Sequence, residues 1–361
     1  MKLTELDTPA LVVDLDIMED NLRRMANYCR QHQLTLRPHI KTHKSTLLAR
    51  RQIDLGAGGI TVAKVGEAEV MSEAGLGDLL LAYPVIGPHK ACRLGEVLEK
   101  AKVAVALDSN EAVEWVARAA KRRSIDVLVE IDFGMRRCGL PPGHEPIRLA
   151  RDIEAKPGLC FRGMMLYPGH IHPHREGTTR RLERLADELD RQLELFRREG
   201  FQVEVVSGGS TPSAYYSHLV GSLTEIRPGT YIFNDRNTVE WGACTQDQCA
   251  AFLWTTVVST AVTGQAIIDG GSKTFSGDGL APGNAAGYGI VTEFPGIEFA
   301  RMNEEHGYLQ LPEGLELEVE QQLRVIPNHI CATINMHDRV WGIRREEVVE
   351  EWEVAARGRI R

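Results

Sequence analysis

The chain has 361 residues, 43% of them hydrophobic, and a formal net charge of -8 at pH 7. That length suits an α/β barrel of about 250 residues with a second, smaller domain. An acidic chain without a basic run is expected to bind no nucleic acid, because phosphate binding needs a basic face, and no stretch is apolar for long enough to span a bilayer.

Taken in chain order, Met1 to Pro9 is polar and runs straight into an apolar strand, Ala10 to Leu15, without a signal-peptide pattern. Eight short strand-like runs follow: Leu34 to His39, Gly58 to Ala63, Asp78 to Tyr83, Lys102 to Leu107, Asp126 to Ile131, Cys160 to Leu166, Val203 to Gly208 and Leu223 to Arg227. Amphipathic stretches such as Val65 to Ala74, Asn110 to Arg122 and Thr178 to Glu199 lie between them, and the last connection, around Pro212 to Leu219, is short. Strand then helix, repeated to eight, predicts a closed (β/α)8 TIM barrel over residues 15–235; an open doubly wound sheet is the competing arrangement. After Thr230 the pattern changes to denser strands, Phe252 to Thr263, Ala266 to Asp269 and Leu323 to Ile326. With residues 1–14, residues 236–361 are expected to form a mainly antiparallel β domain. The seven cysteines (Cys29, Cys92, Cys138, Cys160, Cys244, Cys249 and Cys331) are irregularly spaced. They read as reduced thiols of a cytoplasmic protein, mostly serving as small buried apolar residues.

In a barrel the residues after each strand build the site. After the first run come Arg37, His39, Lys41, His43 and Lys44, a crowd of cationic and imidazole groups. Like charges and partial desolvation there favour a neutral amine, the form that makes a Schiff base, on Lys41 or on its competitor Lys44. The loops Ser207-Gly208-Gly209-Ser210-Thr211-Pro212 and Pro228-Gly229-Thr230 suit a phosphate, through close backbone approach, hydroxyl donors and a helix beginning near Pro212. Near the carboxyl end, His329 and Cys331 flank one residue after a strand-like segment. If that segment stays extended, alternation puts imidazole and thiolate on one face and both reach one metal ion. Two protein ligands leave positions for substrate, and a thiolate selects zinc over magnesium. A polar turn beside a buried cysteine is the competing account. His170, His172 and His174 form a possible second cluster, and Glu305, His306 and His337 are candidates for orienting the metal ligands.

These motifs, from Thr8-Pro9-Ala10-Leu11-Val12 through Arg37-Pro38-His39-Ile40-Lys41-Thr42-His43-Lys44 to Pro327-Asn328-His329-Ile330-Cys331, resemble the D-serine dehydratase and D-threonine aldolase group of fold-type III pyridoxal phosphate enzymes, relatives of alanine racemase. The resemblance covers nearly the whole chain. It implies that Lys41 is the Schiff-base lysine, that Arg137 and Tyr167 contact the cofactor, that Ser210, Thr211, Gly229 and Thr230 form the phosphate region, and that the enzyme is a homodimer. The metal implied at His329 and Cys331 is zinc first, with manganese or magnesium as alternatives. In that group His-x-Cys marks dehydratases and His-x-Asp marks aldolases, whereas Val62 to Glu69 looks more aldolase-like here. Weighting the metal ligand, the expectation is D-serine dehydratase-type β-elimination of water from a small D-amino acid, giving a 2-oxo acid and ammonia. Retro-aldol cleavage to glycine and an aldehyde is the nearest alternative, with His170 or a water as base. A non-catalytic pyridoxal phosphate carrier and a racemase are the remaining ones.

Overall fold

The computed structural model describes residues 1–120, 123–173, 177–280 and 287–361. Strand β1 (Ala10–Asp14) leads into helix α1 (Leu15–Gln31), after which strand and helix alternate: β2 (Thr35–Leu36), α2 (Thr46–Asp54), β3 (Ile60–Val62), α3 (Val65–Glu73), β4 (Asp78–Leu81), α4 (Pro88–Val97), β5 (Lys102–Leu107) and α5 (Asn110–Ala120). The series continues with β6 (Ile125–Glu130), α6 (Glu145–Glu154), β7 (Leu159–Met165), α7 (Thr178–Arg198), β8 (Val205–Gly208) and β9 (Glu225–Ile226). All eight runs expected from the sequence are therefore strands. They form one parallel sheet in the order β2-β9-β8-β7-β6-β5-β4-β3.

The edges of that order meet. Gly58 N donates to Leu36 O at 2.9 Å, Thr61 N to Pro38 O at 2.8 Å and Ile40 N to Thr61 O at 2.9 Å, so the sheet closes into a barrel and the open doubly wound arrangement is ruled out. Most of the strands are largely apolar, as in β5, and are wrapped by helices with one apolar stripe. On α7 that stripe is Leu182, Leu185, Leu189 and Phe196, all buried. Phe196 stacks on Phe161 of β7 with ring centroids 5.3 Å apart. The N-terminal mouth holds a cavity of about 200 Å³ lined by Asp78, Lys102, Asp126, Arg162 and Glu204. Their charges alternate in sign and pair, Lys102 with Asp126 at 3.1 Å and Arg162 with Glu204 at 2.9 Å, which makes that mouth a structural plug. The barrel unit comprises Arg24–Lys41, Thr46–Gly229 and Gly358–Arg361.

The other unit comprises Met1–Arg23, Thr42–Ser45 and Thr230–Arg357. Its elements are the short helix α8 (Arg236–Glu240), β10 (Ala251–Ser259), β11 (Gln265–Ile268), α9 (Ser272–Phe275), β12 (Gly289–Val291), β13 (Glu298–Met302), β14 (Gly307–Gln310), β15 (Gln322–Pro327), α10 (Ile330–Ile334), β16 (Arg339–Arg344) and β17 (Glu347–Glu353). The sheet runs β13-β14-β11-β10-β1-β16-β17, with β15 against β10 and β12. Every pairing is antiparallel except β1 with β16, so the antiparallel expectation holds with one parallel seam. Leu3, Leu6, Ala10, Val12, Cys249, Phe252, Trp254, Ile326 and Ile343 form a buried cluster on this sheet. Among the described residues no helix is long and apolar enough to cross a membrane.

One backbone position tests the strand packing. Gly163 of β7 has φ +148°, and a Cβ there would lie 2.0 Å from Val205 O of β8. Gly163→Ala is expected to destabilise the barrel by about 3 kcal/mol, read as a lowered midpoint in urea with an unchanged slope.

Candidate active site

The C-terminal ends of the barrel strands carry the candidate residues of the barrel unit. β2 is short, but the chain stays bonded through Ile40 to Thr61, so the turn bearing Lys41 is fixed by barrel closure. The neighbouring His39 ring lies inside the barrel. Burial, then the charges of Lys41, Arg227 and Arg137, push its pKa well below the usual imidazole value, so it stays neutral. Its Nδ1 accepts the Lys41 backbone N–H at 3.5 Å. Among the described residues, no hydrogen bond or ion pair engages Lys41 Nζ. Lys44, the competing lysine, falls in the other unit, and its ammonium donates to Ala356 O at 3.4 Å.

Arg137 lies 4.5 Å from the centroid of the Tyr167 ring. Gly169 makes room for that ring, since a Cβ there would fall 2.2 Å from it. Behind these residues runs a buried chain of hydrogen bonds. Arg227 NH1 donates to Ser207 Oγ at 2.6 Å, Ser207 Oγ to Glu225 Oε1 at 2.5 Å, and Arg37 Nε to Glu225 Oε2 at 2.6 Å. Arg37 also reaches Asp78 at 2.5 Å. Burial lowers Arg227 to about 10, short of neutralising it. Burial also raises Glu130 to about 7, with Arg137 and Arg227 opposing.

The phosphate loops converge as expected in part. Gly229 N donates to Thr211 Oγ1 at 3.1 Å, tying the loop after β9 to the loop after β8. Ser210 Oγ lies 3.0 Å from Ser213 Oγ. Gly209 has φ +76°, and a Cβ there would meet Ile226 at 2.9 Å. The helix expected near Pro212 is instead a 3-10 turn, Ala214–Leu219, since the connection is too short for a full helix. Thr230 departs from its grouping: its hydroxyl lies 3.6 Å from Cys331 Sγ, in the second unit.

That unit holds the metal motif, and the geometry differs from alternation along a strand. β15 ends at Pro327, His329 is extended and caps α10, and Cys331 lies in its first turn. Imidazole and thiol nonetheless meet, and the Cys331 charge, with Asp235, pushes His329 up to about 11 against burial. Thr42 Oγ1 lies 3.1 Å from Cys331 Sγ. The buried Asp235 carboxylate accepts from His329 Nδ1 and Ile330 N, each at 3.1 Å, through Oδ2, and from Thr238 N at 2.9 Å through Oδ1. A carboxylate behind a histidine fixes the ring and leaves the other nitrogen for a metal.

An imidazole and a thiol backed by a buried carboxylate fit a soft or borderline divalent ion, and an unengaged amine beside glycine and hydroxyl loops fits pyridoxal phosphate. Among the described residues no group of three or more His, Cys, Asp or Glu side chains could hold a metal ion. The remaining candidates fall away. His337 Nε2 is bonded to Thr274 O at 2.9 Å, Glu305 pairs with Lys273 at 2.5 Å, and His306 is exposed. His174 lies outside the described residues. His170 packs on Gly134, where a Cβ would lie 3.2 Å from its Nε2; burial lowers its pKa, and its buried Nδ1 has no partner among the described residues.

Sequence reasoning missed Asp235 and Arg227. The signal for the first was an N-cap pattern, Asp-x-x-Thr, opening α8. For the second it was the pair of charges, Glu225 and Arg227, inside a strand expected to face the barrel.

A model described as the alanine racemase N-terminal domain matches residues 13–237, and one described as a putative serine dehydratase domain matches residues 250–343. D-threonine aldolase of Arthrobacter sp is 32% identical over 99% of this chain and 94% of its own length. A solved structure of D-threonine aldolase from Filomicrobium marinum covers 100% of this chain and 98% of that one, with 33% identity and a TM-score of 0.92. Two structures of D-threo-3-hydroxyaspartate dehydratase, a histidine-to-alanine variant and a cysteine-to-alanine variant in metal-free form, each cover 98% of this chain at 30% identity, with TM-scores of 0.86 and 0.84. They cover 96% and 98% of those chains, and the two replaced residues are two positions apart.

The carboxylate behind His329 gives a direct test. Asp235→Asn keeps a cap for Thr238 but loses the charge on the imidazole, and is expected to weaken zinc binding about 10- to 100-fold. Chelator competition on the purified protein measures it.

Proposed function

The chain belongs to the family of pyridoxal phosphate-dependent lyases that joins an alanine racemase-type barrel to a serine dehydratase-type domain, and from that premise we propose that it cleaves D-β-hydroxy amino acids by retro-aldol reaction to glycine and an aldehyde. The observation that carries the choice of reaction is the whole-chain likeness to D-threonine aldolase, at a TM-score of 0.92. This replaces the dehydratase weighting drawn from the metal motif alone.

When bound, pyridoxal phosphate supplies an electron sink for charge left at the substrate α-carbon, and the divalent ion supplies a Lewis acid for the β-hydroxyl. Lys41 holds the cofactor through its ε-amine, with Ser210, Thr211 and the Gly229 loop at the phosphate and Arg137 and Tyr167 at the ring. The buried Arg227 keeps a fixed cation at the barrel end of that site. His329 and Cys331 would hold the metal, and the Asp235 carboxylate, bonded at Nδ1, would leave the other imidazole nitrogen for it. Among titratable groups of the barrel loops, His170 suits the base. Its lowered pKa leaves it neutral at pH 7, ready to take the β-hydroxyl proton at Nε2 as the Cα–Cβ bond breaks. The Lys41 amine would return a proton to the α-carbon.

A second reading, dehydration, has one observation in its favour. The histidine and cysteine replaced in the dehydratase variants share the two-residue spacing of His329 and Cys331, and one variant is metal-free.

Products decide between the readings. D-threonine with protein, cofactor and zinc is expected to yield glycine and acetaldehyde by mass analysis; 2-oxobutanoate with ammonia would establish the dehydratase. Lys41→Ala should abolish turnover together with the visible absorbance of the reconstituted protein. The pH profile tests the base. A histidine with a lowered pKa is neutral above that value, so kcat should fall only as pH drops through it, below 6.5. His170→Gln should lower kcat about 100-fold or more and remove that acid limb.

A further inference from the structure

Two thiols in the second unit lie outside this chemistry. Cys249 is 6% exposed in the core of the antiparallel sheet, and the half-buried Cys244 packs against the same cluster. Both therefore sit in one apolar cluster, and the neighbouring Cys244, then burial, hold Cys249 well above the usual thiol range. The residues between them form a 3-10 turn, Gln246–Gln248. That turn is pinned at Gln248 O, which accepts from Asn21 Nδ2 at 2.9 Å and Asn234 Nδ2 at 3.0 Å. Cys244 Sγ in turn donates to Thr238 Oγ1 at 3.4 Å. Thr238 is the residue whose N–H and hydroxyl hold Asp235, at 2.9 Å to Oδ1 and 2.7 Å to the backbone oxygen. A continuous chain of contacts therefore runs from the dithiol through Thr238 and Asp235 to His329.

We propose that Cys244 and Cys249 are a reversible dithiol switch: low-molecular-weight disulfides oxidise the pair, and the resulting bond loosens the hold of Asp235 on the metal-binding histidine. Cys244, the less buried of the two, attacks one sulfur of the small disulfide, breaking that S–S bond and releasing one thiol, which takes the proton that Cys244 loses. Cys249 then attacks Cys244 Sγ, expelling the second thiol, whose sulfur takes the proton that Cys249 loses. Two protein thiols are oxidised and one external disulfide is reduced to two thiols, so electrons and protons balance. A disulfide needs its sulfurs about 2.05 Å apart, closer than any thiol–thiol contact. Cys249 is anchored in the core and the turn between them is pinned, so Cys244 makes the movement and leaves Thr238. The Asp235 cap then loses a support.

The consequence for the metal rests on the reading of His329 and Cys331 given above; the dithiol does not. The zinc-loaded protein, in which the Cys331 thiolate is shielded, is treated with oxidised glutathione, then stripped of zinc. Peptide mass mapping without reductant and chelator competition for zinc follow, before and after dithiothreitol. A Cys244–Cys249 cross-link lighter by two hydrogens is expected, with zinc binding about tenfold weaker and restored on reduction. Cys244→Ser, which keeps a hydroxyl toward Thr238, should bind zinc like the reduced protein and ignore the oxidant. Glutathione added to the exposed Cys92 without a 244–249 cross-link would overturn the switch, as would a cross-link that leaves zinc affinity unchanged or a Cys244→Ser protein that weakens in the same way. Reduced protein that binds no zinc at all would sink the metal reading and the coupling with it, while the cross-link would still report on the dithiol.

Discussion

The second unit is organised around one buried carboxylate. Asp235 accepts hydrogen bonds from Thr238 N, Ile330 N and His329 Nδ1 while fully shielded from solvent. A buried anion is tolerated only when such donors surround it. Through these bonds it starts α8, starts α10 and sets the direction of the His329 ring. The metal motif is therefore held by two helix starts sharing one acid. Replacing the acid affects local folding and ligand geometry together.

The barrel solves the equivalent problem with cations. Arg227 is buried, yet the chain through Ser207 and Glu225 to Arg37 spreads its charge over a ladder of donors and acceptors. Because Glu225 is held by Arg37, the Ser207 hydroxyl must donate to it and present its lone pair to Arg227. Each polarity in the ladder is thus dictated by the next. Near its end lies the neutral imidazole of His39, held so by burial first and then by the charges of Lys41, Arg227 and Arg137.

Much of this was legible in the sequence, for physical reasons. Parallel strands covered on both faces are mostly apolar, so the runs Lys102 to Leu107 and Asp126 to Ile131 stood out, and the strands observed are Lys102–Leu107 and Ile125–Glu130. Lys41 stood out by its place after the first strand run, beside Arg37, His39, His43 and Lys44, and His329 and Cys331 by their spacing. Their local geometry was not visible. Alternation along a strand would have joined His329 and Cys331, but Asn328 and Asp235 end the strand and begin a helix, which brings the side chains together by a different route. Asp235 escaped notice because a capping acid and a metal-supporting acid look alike until the fold places Ile330 beside it. Between aldolase and dehydratase the metal motif and the stretch Val62 to Glu69 pointed opposite ways, and the relatives matched over the whole chain favour the aldolase alternative.

Strand β1 lies in the middle of its sheet, antiparallel to β10 and parallel to β16. Its residues, 10–14, leave the ribosome long before residues 251–259 and 339–344 exist. During synthesis the barrel segments can close while an apolar ribbon near the start of the chain waits with both edges unsatisfied. Such a segment is a target for chaperones and for misassembly with other nascent chains. Expression yield, more than catalysis, is where substitutions that make Leu11, Val12 or Val13 stickier should be felt.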